Sequence, residues 1–285
     1  MCNEIINPGR CADPGISRRE FIAAGLAAAG FPADADASAS VVEADISFTT
    51  PDGTADAVLL RPGGTGRWPA VLVWTDILGL RPVFRQLGRR LAAQGYVVLV
   101  PNPYYRERRA PVVGDQFDFD DAAAFKVILG YRERITNAHV DRDTRAALAF
   151  LDAQPETDLS RWAGVQGYCM GGAFAFRTAA AMPHRIGAAG SFHGADLVTD
   201  APDSPHRSVA KARANFLVAI ARDDDRQEPR SKGALEAAFR AAGRSARVDV
   251  YPADHGWCVP GSGEYDAEAA ERAWAELSEL YRRVL

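Results

Sequence analysis

From residue 41 onward, short apolar runs alternate with stretches of helical periodicity. Continuous apolar runs such as 70–74 and 96–100 are typical of strands buried on both faces of a parallel sheet. Between the runs, apolar positions recur every three or four residues, as in amphipathic helices. The predicted strands are 42–50, 54–60, 70–74, 96–100, 163–167, 187–192, 216–221 and 247–251, and the predicted helices are 83–94, 122–134, 140–154, 172–182, 231–242 and 265–284.

The order of these elements predicts the architecture. Pro51-Asp52-Gly53 joins the first two strands and predicts an antiparallel hairpin. The later strands alternate with helices, which predicts an α/β fold with a mostly parallel central sheet and helices on both faces. We therefore expect one α/β domain over residues 40–285. The polar segment 102–121 predicts a long loop, and such loops often cover functional sites.

Composition excludes several classes of protein. The 285 residues include 33 Lys and Arg against 37 Asp and Glu, for a net charge of −4. This balance offers no basic surface for nucleic acid. No apolar run approaches the roughly 18 residues of a membrane span. We expect a globular protein with a small-molecule partner, as a monomer or a homodimer.

The first 39 residues differ from the rest. Ser-Arg-Arg-Glu-Phe-Ile at 17–22 precedes an Ala-, Gly- and Leu-rich run, and Ala-Ser-Ala follows at 37–39. Paired arginines, an apolar stretch and a small-residue cleavage site resemble a twin-arginine export signal. This resemblance predicts a periplasmic or secreted protein. The alternative is an amphipathic helix capped by Ser17 and a cytoplasmic protein.

The four cysteines do not form a metal-binding pattern. They lie at positions 2, 11, 169 and 258, without a Cys-x-x-Cys pair or an accompanying His-x-x-x-His. Zinc sites use such spacings. We therefore expect no metal site, and no organic cofactor is implied either.

The segment Gly167-Tyr168-Cys169-Met170-Gly171 lies between a predicted strand and a predicted helix. This is the Gly-x-nucleophile-x-Gly elbow, with Cys where Ser is usual. The tight turn leaves no room for side chains two residues before and after the nucleophile. The helix N-terminus favours a thiolate, and the N–H of Met170 is placed to stabilise an oxyanion. The alternative is a small buried cysteine at a Gly-rich turn.

An acid and a base follow in the order that such a fold requires. Strand 216–221 leads into three aspartates, of which Asp224 is the predicted acid, with Asp225 as the alternative. The other aspartates of the triplet are expected to be solvated charges of a loop after this strand. His255 follows the last strand and is the predicted base. His193 precedes the acid and therefore breaks the order.

The elbow resembles that of the dienelactone hydrolase family, a branch of the α/β-hydrolases with a Cys-His-Asp triad. The resemblance covers most of the chain after about residue 42. It implies an α/β-hydrolase fold and hydrolysis of a carboxylic ester or lactone through a thioester, without a cofactor. The segments that carry it are Gly-Tyr-Cys-Met-Gly-Gly at 167–172, Gln-Gly-Tyr at 94–96, Val-Pro-Asn-Pro-Tyr at 100–104, Trp-Thr-Asp-Ile-Leu-Gly at 74–79 and the spacing from Asp224 to His255.

The same resemblance implies further roles. The N–H of Ile77 would be the second oxyanion donor. The family usually has a Glu just before that donor, in contact with the resting thiol, and here the residue is Asp76. The family's lactone hydrolase has an Arg four residues after the histidine that holds a substrate carboxylate, and here the residue is Val259. Carboxylate recognition is then lost, or moved to the loop arginines Arg106, Arg108 or Arg109, which otherwise form a solvated charge run.

Aromatic side chains near these motifs are candidates for substrate contact. They are Tyr168, Trp257 and Tyr104, with simple packing as the alternative. A broader esterase or an acyl transferase would use the same triad. A protein of a different class, a non-catalytic thiol sensor or binding module, would pair Cys169 with Cys258 in a regulatory disulfide.

Overall fold

The structure is a computed structural model that describes residues 40–114 and 117–285. The predicted export signal, residues 1–39, lies outside the described residues. The strands are β1 Val41–Thr50, β2 Gly53–Pro62, β3 Ala70–Trp74, β4 Val97–Pro101, β5 Ala163–Tyr168, β6 Ile186–Phe192, β7 Asn215–Ile220 and β8 Ala246–Val250. The helices are α1 Pro82–Ala93, α2 Ala122–Glu133, α3 Asn137–Asp152, α4 Met170–Ala181, α5 Pro205–Ser208, α6 Arg222–Gln227, α7 Ser231–Ala241 and α8 Ala267–Val284.

The strands form one sheet in the order β1-β2-β4-β3-β5-β6-β7-β8. β1 and β2 form the predicted antiparallel hairpin, and β2 pairs antiparallel with β4. All later pairings are parallel. The prediction of a mostly parallel sheet is therefore confirmed. Because parallel strands end at the same edge, the loops after β3, β5, β6, β7 and β8 lie side by side.

Alternate residues of β5 show that helices cover both faces of the sheet. Gln166 accepts a hydrogen bond from the Tyr281 hydroxyl of α8 at 3.2 Å. A side chain at Gly164 would meet the ring of the same tyrosine. Gly167 faces the other way and lies against Gly171 of α4. Since successive strand residues point to opposite faces, α8 and α4 lie on opposite sides of β5, as predicted.

Local capping explains where the sequence prediction misses a boundary. Helix α3 begins at Asn137 rather than at residue 140, because the Thr136 hydroxyl accepts from the His139 N–H at 3.2 Å and caps the first turn. The segment Arg222–Gln227 is helical, although a loop was expected there. Among the described helices, none combines the length and apolar character needed to cross a membrane.

Candidate active site

Cys169 occupies the sharp turn between β5 and α4. Its backbone φ of 53° lies in the left-handed region, which costs a non-glycine residue about 1–3 kcal/mol and is typical of functional sites. A Cβ at Gly167 would overlap the carbonyl of Gly171. A Cβ at Gly171 would lie 2.5 Å from the Thr75 carbonyl oxygen and 2.7 Å from that of Trp74. Both glycines of the motif are therefore required by close backbone packing.

His255 lies in the loop after β8 and is bound to Asp224, the third residue of α6. Its Nδ1 is 2.9 Å from Asp224 Oδ2 and 3.0 Å from Oδ1. Nδ1 therefore acts as the donor to the carboxylate, and the imidazole is oriented as a general base requires. The side chains are 19% and 27% exposed, so the pair is partly desolvated.

The three consecutive aspartates have different surroundings. Asp223 Oδ1 accepts from the backbone N–H of His255 at 2.8 Å and from that of Asp224 at 3.0 Å. The expectation that Asp223 is a solvated loop charge is wrong, since it fixes the loop that carries His255. The side chain of Asp225 forms no hydrogen bond or ion pair with the described part of the chain.

The electrostatics of His255 depend on both neighbours. Burial opposes protonation, but the adjacent Cys169 sulfur and the Asp224 carboxylate outweigh it, and the pKa of His255 lies well above its ordinary value. The Nε2 atom is buried and has no conventional hydrogen-bond partner within the described residues. That nitrogen remains available to exchange a proton with the thiol, a leaving group or water.

The backbone N–H groups of Ile77 and Met170 are free of hydrogen bonds to the described residues. Ile77 follows β3, and Met170 is the first residue of α4. The two segments touch, because Gly171 packs on the carbonyls at the end of β3. Two unpaired donors on adjoining segments next to Cys169 have the character of an oxyanion hole.

Asp76 is bound mainly by Arg81. The guanidinium donates to Oδ1 at 2.6 Å and to Oδ2 at 2.7 Å, a bidentate pair whose side chains are 12% and 14% exposed. Asp76 Oδ1 also accepts from the Leu78 N–H at 3.0 Å. The predicted contact with the thiol is not among the hydrogen bonds of the described residues. The carboxylate instead holds the turn that carries Ile77.

The three candidate substrate-binding aromatics are packed inside the protein. The Tyr168 ring stacks on Phe192 with centroids 5.2 Å apart, and Trp257 stacks on Tyr251 at 4.6 Å. Tyr104 is 1% exposed, with its hydroxyl on the carbonyl of residue 77. Contact between these rings and a substrate stays a prediction.

His193, which sequence order excluded as the base, lies directly beside His255. The two rings are 4.6 Å apart in an edge-to-face arrangement. His193 is 1% exposed, both ring nitrogens lack partners among the described residues, and burial together with the nearby His255 lowers its pKa well below the ordinary value. A neutral imidazole therefore packs against His255, the candidate base. The signal in the sequence that could have placed His193 at the site is its position directly after β6, at the edge of the sheet where the other site loops lie.

Val259 and Arg106 are not available to bind a substrate carboxylate, whereas Arg108 and Arg109 are exposed, and their role stays a prediction. Val259 is 1% exposed. Arg106 is not part of a solvated run, because it binds Asp143 at 2.7 Å and Asp52 at 2.5 Å. Two carboxylates neutralise this guanidinium, so Arg106 stabilises the fold and is not free to bind a substrate carboxylate.

The fold and the elbow define a hydrolase of the α/β class. The family model of the dienelactone hydrolase family matches residues 55–285. This chain belongs to that family, and it is a hydrolase that acts on ester or lactone bonds of small molecules. The predicted family and the α/β-hydrolase fold are both confirmed.

Individual relatives agree with this assignment. A Methylorubrum extorquens protein with the provisional name carboxymethylenebutenolidase is 28% identical, and the match covers 94% of this chain and 93% of that protein. A crystal structure of a provisionally named dienelactone hydrolase from Klebsiella pneumoniae is 25% identical, with a TM-score of 0.73 over 86% of this chain and 99% of that one. A dienelactone hydrolase-like promiscuous phosphotriesterase from metagenomic libraries is 26% identical, with a TM-score of 0.70 and the same coverage.

Proposed function

We propose that the protein hydrolyses carboxylic esters or lactones with Cys169 as the nucleophile. The observation that carries this proposal is the hydrogen bond of 2.9 Å between His255 Nδ1 and Asp224 Oδ2. This pair lies next to Cys169, which precedes the first turn of α4. A helix N-terminus favours a thiolate. Burial lowers the pKa of His255, but the adjacent Cys169 and Asp224 raise it well above its ordinary value, which suits a base beside this cysteine.

In the first half-reaction, the Cys169 thiolate attacks the carbonyl carbon of the substrate. The N–H groups of Ile77 and Met170 stabilise the tetrahedral oxyanion. The bond from carbon to the leaving oxygen then breaks, and that oxygen takes a proton from Nε2 of His255. The acyl group remains on sulfur as a thioester.

In the second half-reaction, water attacks the thioester carbonyl and gives a proton to His255 Nε2. The carbon–sulfur bond breaks, the acid leaves, and the thiolate forms again. Asp224 keeps the imidazole in the required tautomer throughout both steps. For a lactone, the leaving oxygen and the acid belong to one molecule, so the product is a hydroxy acid.

The test is release of nitrophenol from p-nitrophenyl acetate, with Cys169→Ala compared to the wild type. We expect turnover to fall at least about a hundredfold, the scale for a lost nucleophile. Cys258→Ala is the matched control, because Cys258 is also a free buried thiol, and it should retain activity. Equal rates for wild type and Cys169→Ala would contradict the proposal.

A further inference from the structure

The hydroxyl of Tyr104 lies where the two oxyanion segments meet. It donates to the Ile77 carbonyl oxygen at 2.7 Å and lies 3.4 Å from the Met170 sulfur. These are the two residues whose N–H groups are the candidate oxyanion donors. Tyr104 therefore contacts both residues of the candidate oxyanion hole, Ile77 through its carbonyl oxygen and Met170 through its side chain.

The environment of this hydroxyl fixes it as a donor. Tyr104 is 1% exposed, and burial together with the Asp76 carboxylate raises its pKa. A protonated phenol has a single hydrogen to donate, and the shorter contact identifies the Ile77 oxygen as its acceptor. The sulfur of Met170 makes the weaker contact.

Tyr104 is itself held in place. Its backbone N–H donates to Asn102 Oδ1 at 3.0 Å. The Asn102 amide donates to Asp56 Oδ1 at 3.1 Å and to the Arg108 carbonyl at 2.8 Å. A buried hydrogen-bond chain thus runs from β2 to the oxyanion turn, and such satisfied networks are rigid.

The geometry of the turn explains what the hydroxyl controls. The Asp76 carbonyl accepts from the Gly79 N–H at 3.0 Å, and because a trans peptide is planar, the Ile77 N–H points the opposite way. The next peptide is held at both ends. Its oxygen accepts from Tyr104, and its N–H, that of Leu78, donates to the Asp76 carboxylate.

We propose that Tyr104 is a positioning residue for ester hydrolysis, which aims the N–H of Ile77 at the developing oxyanion. The inference rests on the proposed function of Cys169. Without the phenolic hydroxyl, the peptide after Ile77 keeps only its bond to Asp76 and can rotate. Because this peptide shares the Ile77 Cα with the peptide that carries the donor N–H, the whole turn is then held less tightly, and within the described residues the bond from Gly79 to the Asp76 carbonyl alone restrains the donor. The donor then spends less time in the productive direction, while the thiolate and His255 are unchanged.

Tyr104→Phe tests this role, because it removes one oxygen and keeps the ring. We expect kcat for p-nitrophenyl acetate to fall about tenfold with KM nearly unchanged, less than the hundredfold or more seen when a donor is deleted. The second-order rate of Cys169 alkylation by iodoacetamide should stay at the wild-type value. Alkylation is a displacement at saturated carbon and forms no oxyanion, so it reports on the thiolate alone.

Tyr105→Phe is the matched control. Its hydroxyl binds Asp143 at 2.8 Å and Thr50 at 2.7 Å, away from the turn, and its variant should hydrolyse at the wild-type rate. If Tyr104→Phe hydrolyses normally, or if its alkylation falls in parallel with hydrolysis, the positioning role is overturned. If alkylation of the wild type leaves hydrolysis intact, Cys169 is not the nucleophile, and the proposed function falls with this inference.

Discussion

Two aspartates lie on either side of the strand that leads to Cys169, and their partners differ. Asp224, on the β7 side, binds an imidazole at 2.9 Å. Asp76, on the β3 side, binds the Arg81 guanidinium through both oxygens, at 2.6 and 2.7 Å. The sheet order β3-β5-β6-β7 places the two ion pairs on opposite flanks of the elbow.

The difference shows how a partner decides what a carboxylate does. An imidazole gains and loses a proton near neutral pH, so the pair with Asp224 can take part in proton transfer. A guanidinium stays charged in any working condition, so the pair with Asp76 can only hold structure. In the proposed mechanism, Asp224 takes part in the chemistry, whereas Asp76 holds the turn that carries the candidate oxyanion donor Ile77.

The largest expected effect comes from Asp224→Asn. The amide no longer holds the imidazole as a base, and we expect kcat/KM for p-nitrophenyl acetate to fall by about a thousandfold or more. Asp225→Asn is the matched control and should change the value less than about threefold, since that side chain has no partner among the described residues. A large loss with Asp225→Asn and none with Asp224→Asn would reverse the assignment.

A smaller effect, on stability, should follow from Asp76→Asn. One partner of a largely buried ion pair is lost, while the Leu78 N–H keeps an acceptor, and we expect the free energy of unfolding in urea to fall by about 2 kcal/mol. Arg81→Met should cost at least as much, because it leaves the carboxylate unpaired. The double variant should lose less than the sum of the two. Strict additivity would mean that the pair contributes nothing.

The smallest effect is a dependence of stability on pH at the Asp224 pair. Burial lowers the pKa of His255, but Cys169 and Asp224 together raise it in the folded state above the value of about 6.5 in the unfolded chain, and the Asp224 share of this shift is what the variant removes. The stabilisation is therefore complete below about pH 6.5 and is lost as the pH rises through the folded pKa. The difference in unfolding free energy between wild type and Asp224→Asn should shrink over that interval. The difference for Asp76→Asn should stay flat there, because arginine does not titrate.

Most of the fold, and the grouping of residues at the centre of the candidate site, could be predicted because the signals are local. The elbow is encoded within five residues, since Gly167 and Gly171 are required by the backbone on either side of the cysteine. The buried strands are continuous apolar runs, and β3 was predicted to the residue. The order of acid and base follows from the order of strands at one edge of the sheet.

What could not be predicted depends on contacts between distant segments. The spacing of Asp76 and Arg81 carries no signal until the turn between them brings the side chains together. Asp223 looks like its neighbours in sequence, but it alone reaches the N–H of His255. His193 was set aside by chain order, although strand β6 places it against His255.

The distribution of the site over the strands has a consequence for biosynthesis. Cys169 and α4 precede Asp224 and His255 along the chain, and His255 follows β8, the last of the described strands. A nascent chain on the ribosome can complete the elbow while the segment with the base is still untranslated. Such a chain has Cys169 at the N-terminus of α4 but lacks His255, the proposed proton acceptor. Under the proposed mechanism, a translation product that stops before His255 therefore contains the folded elbow but does not turn over esters.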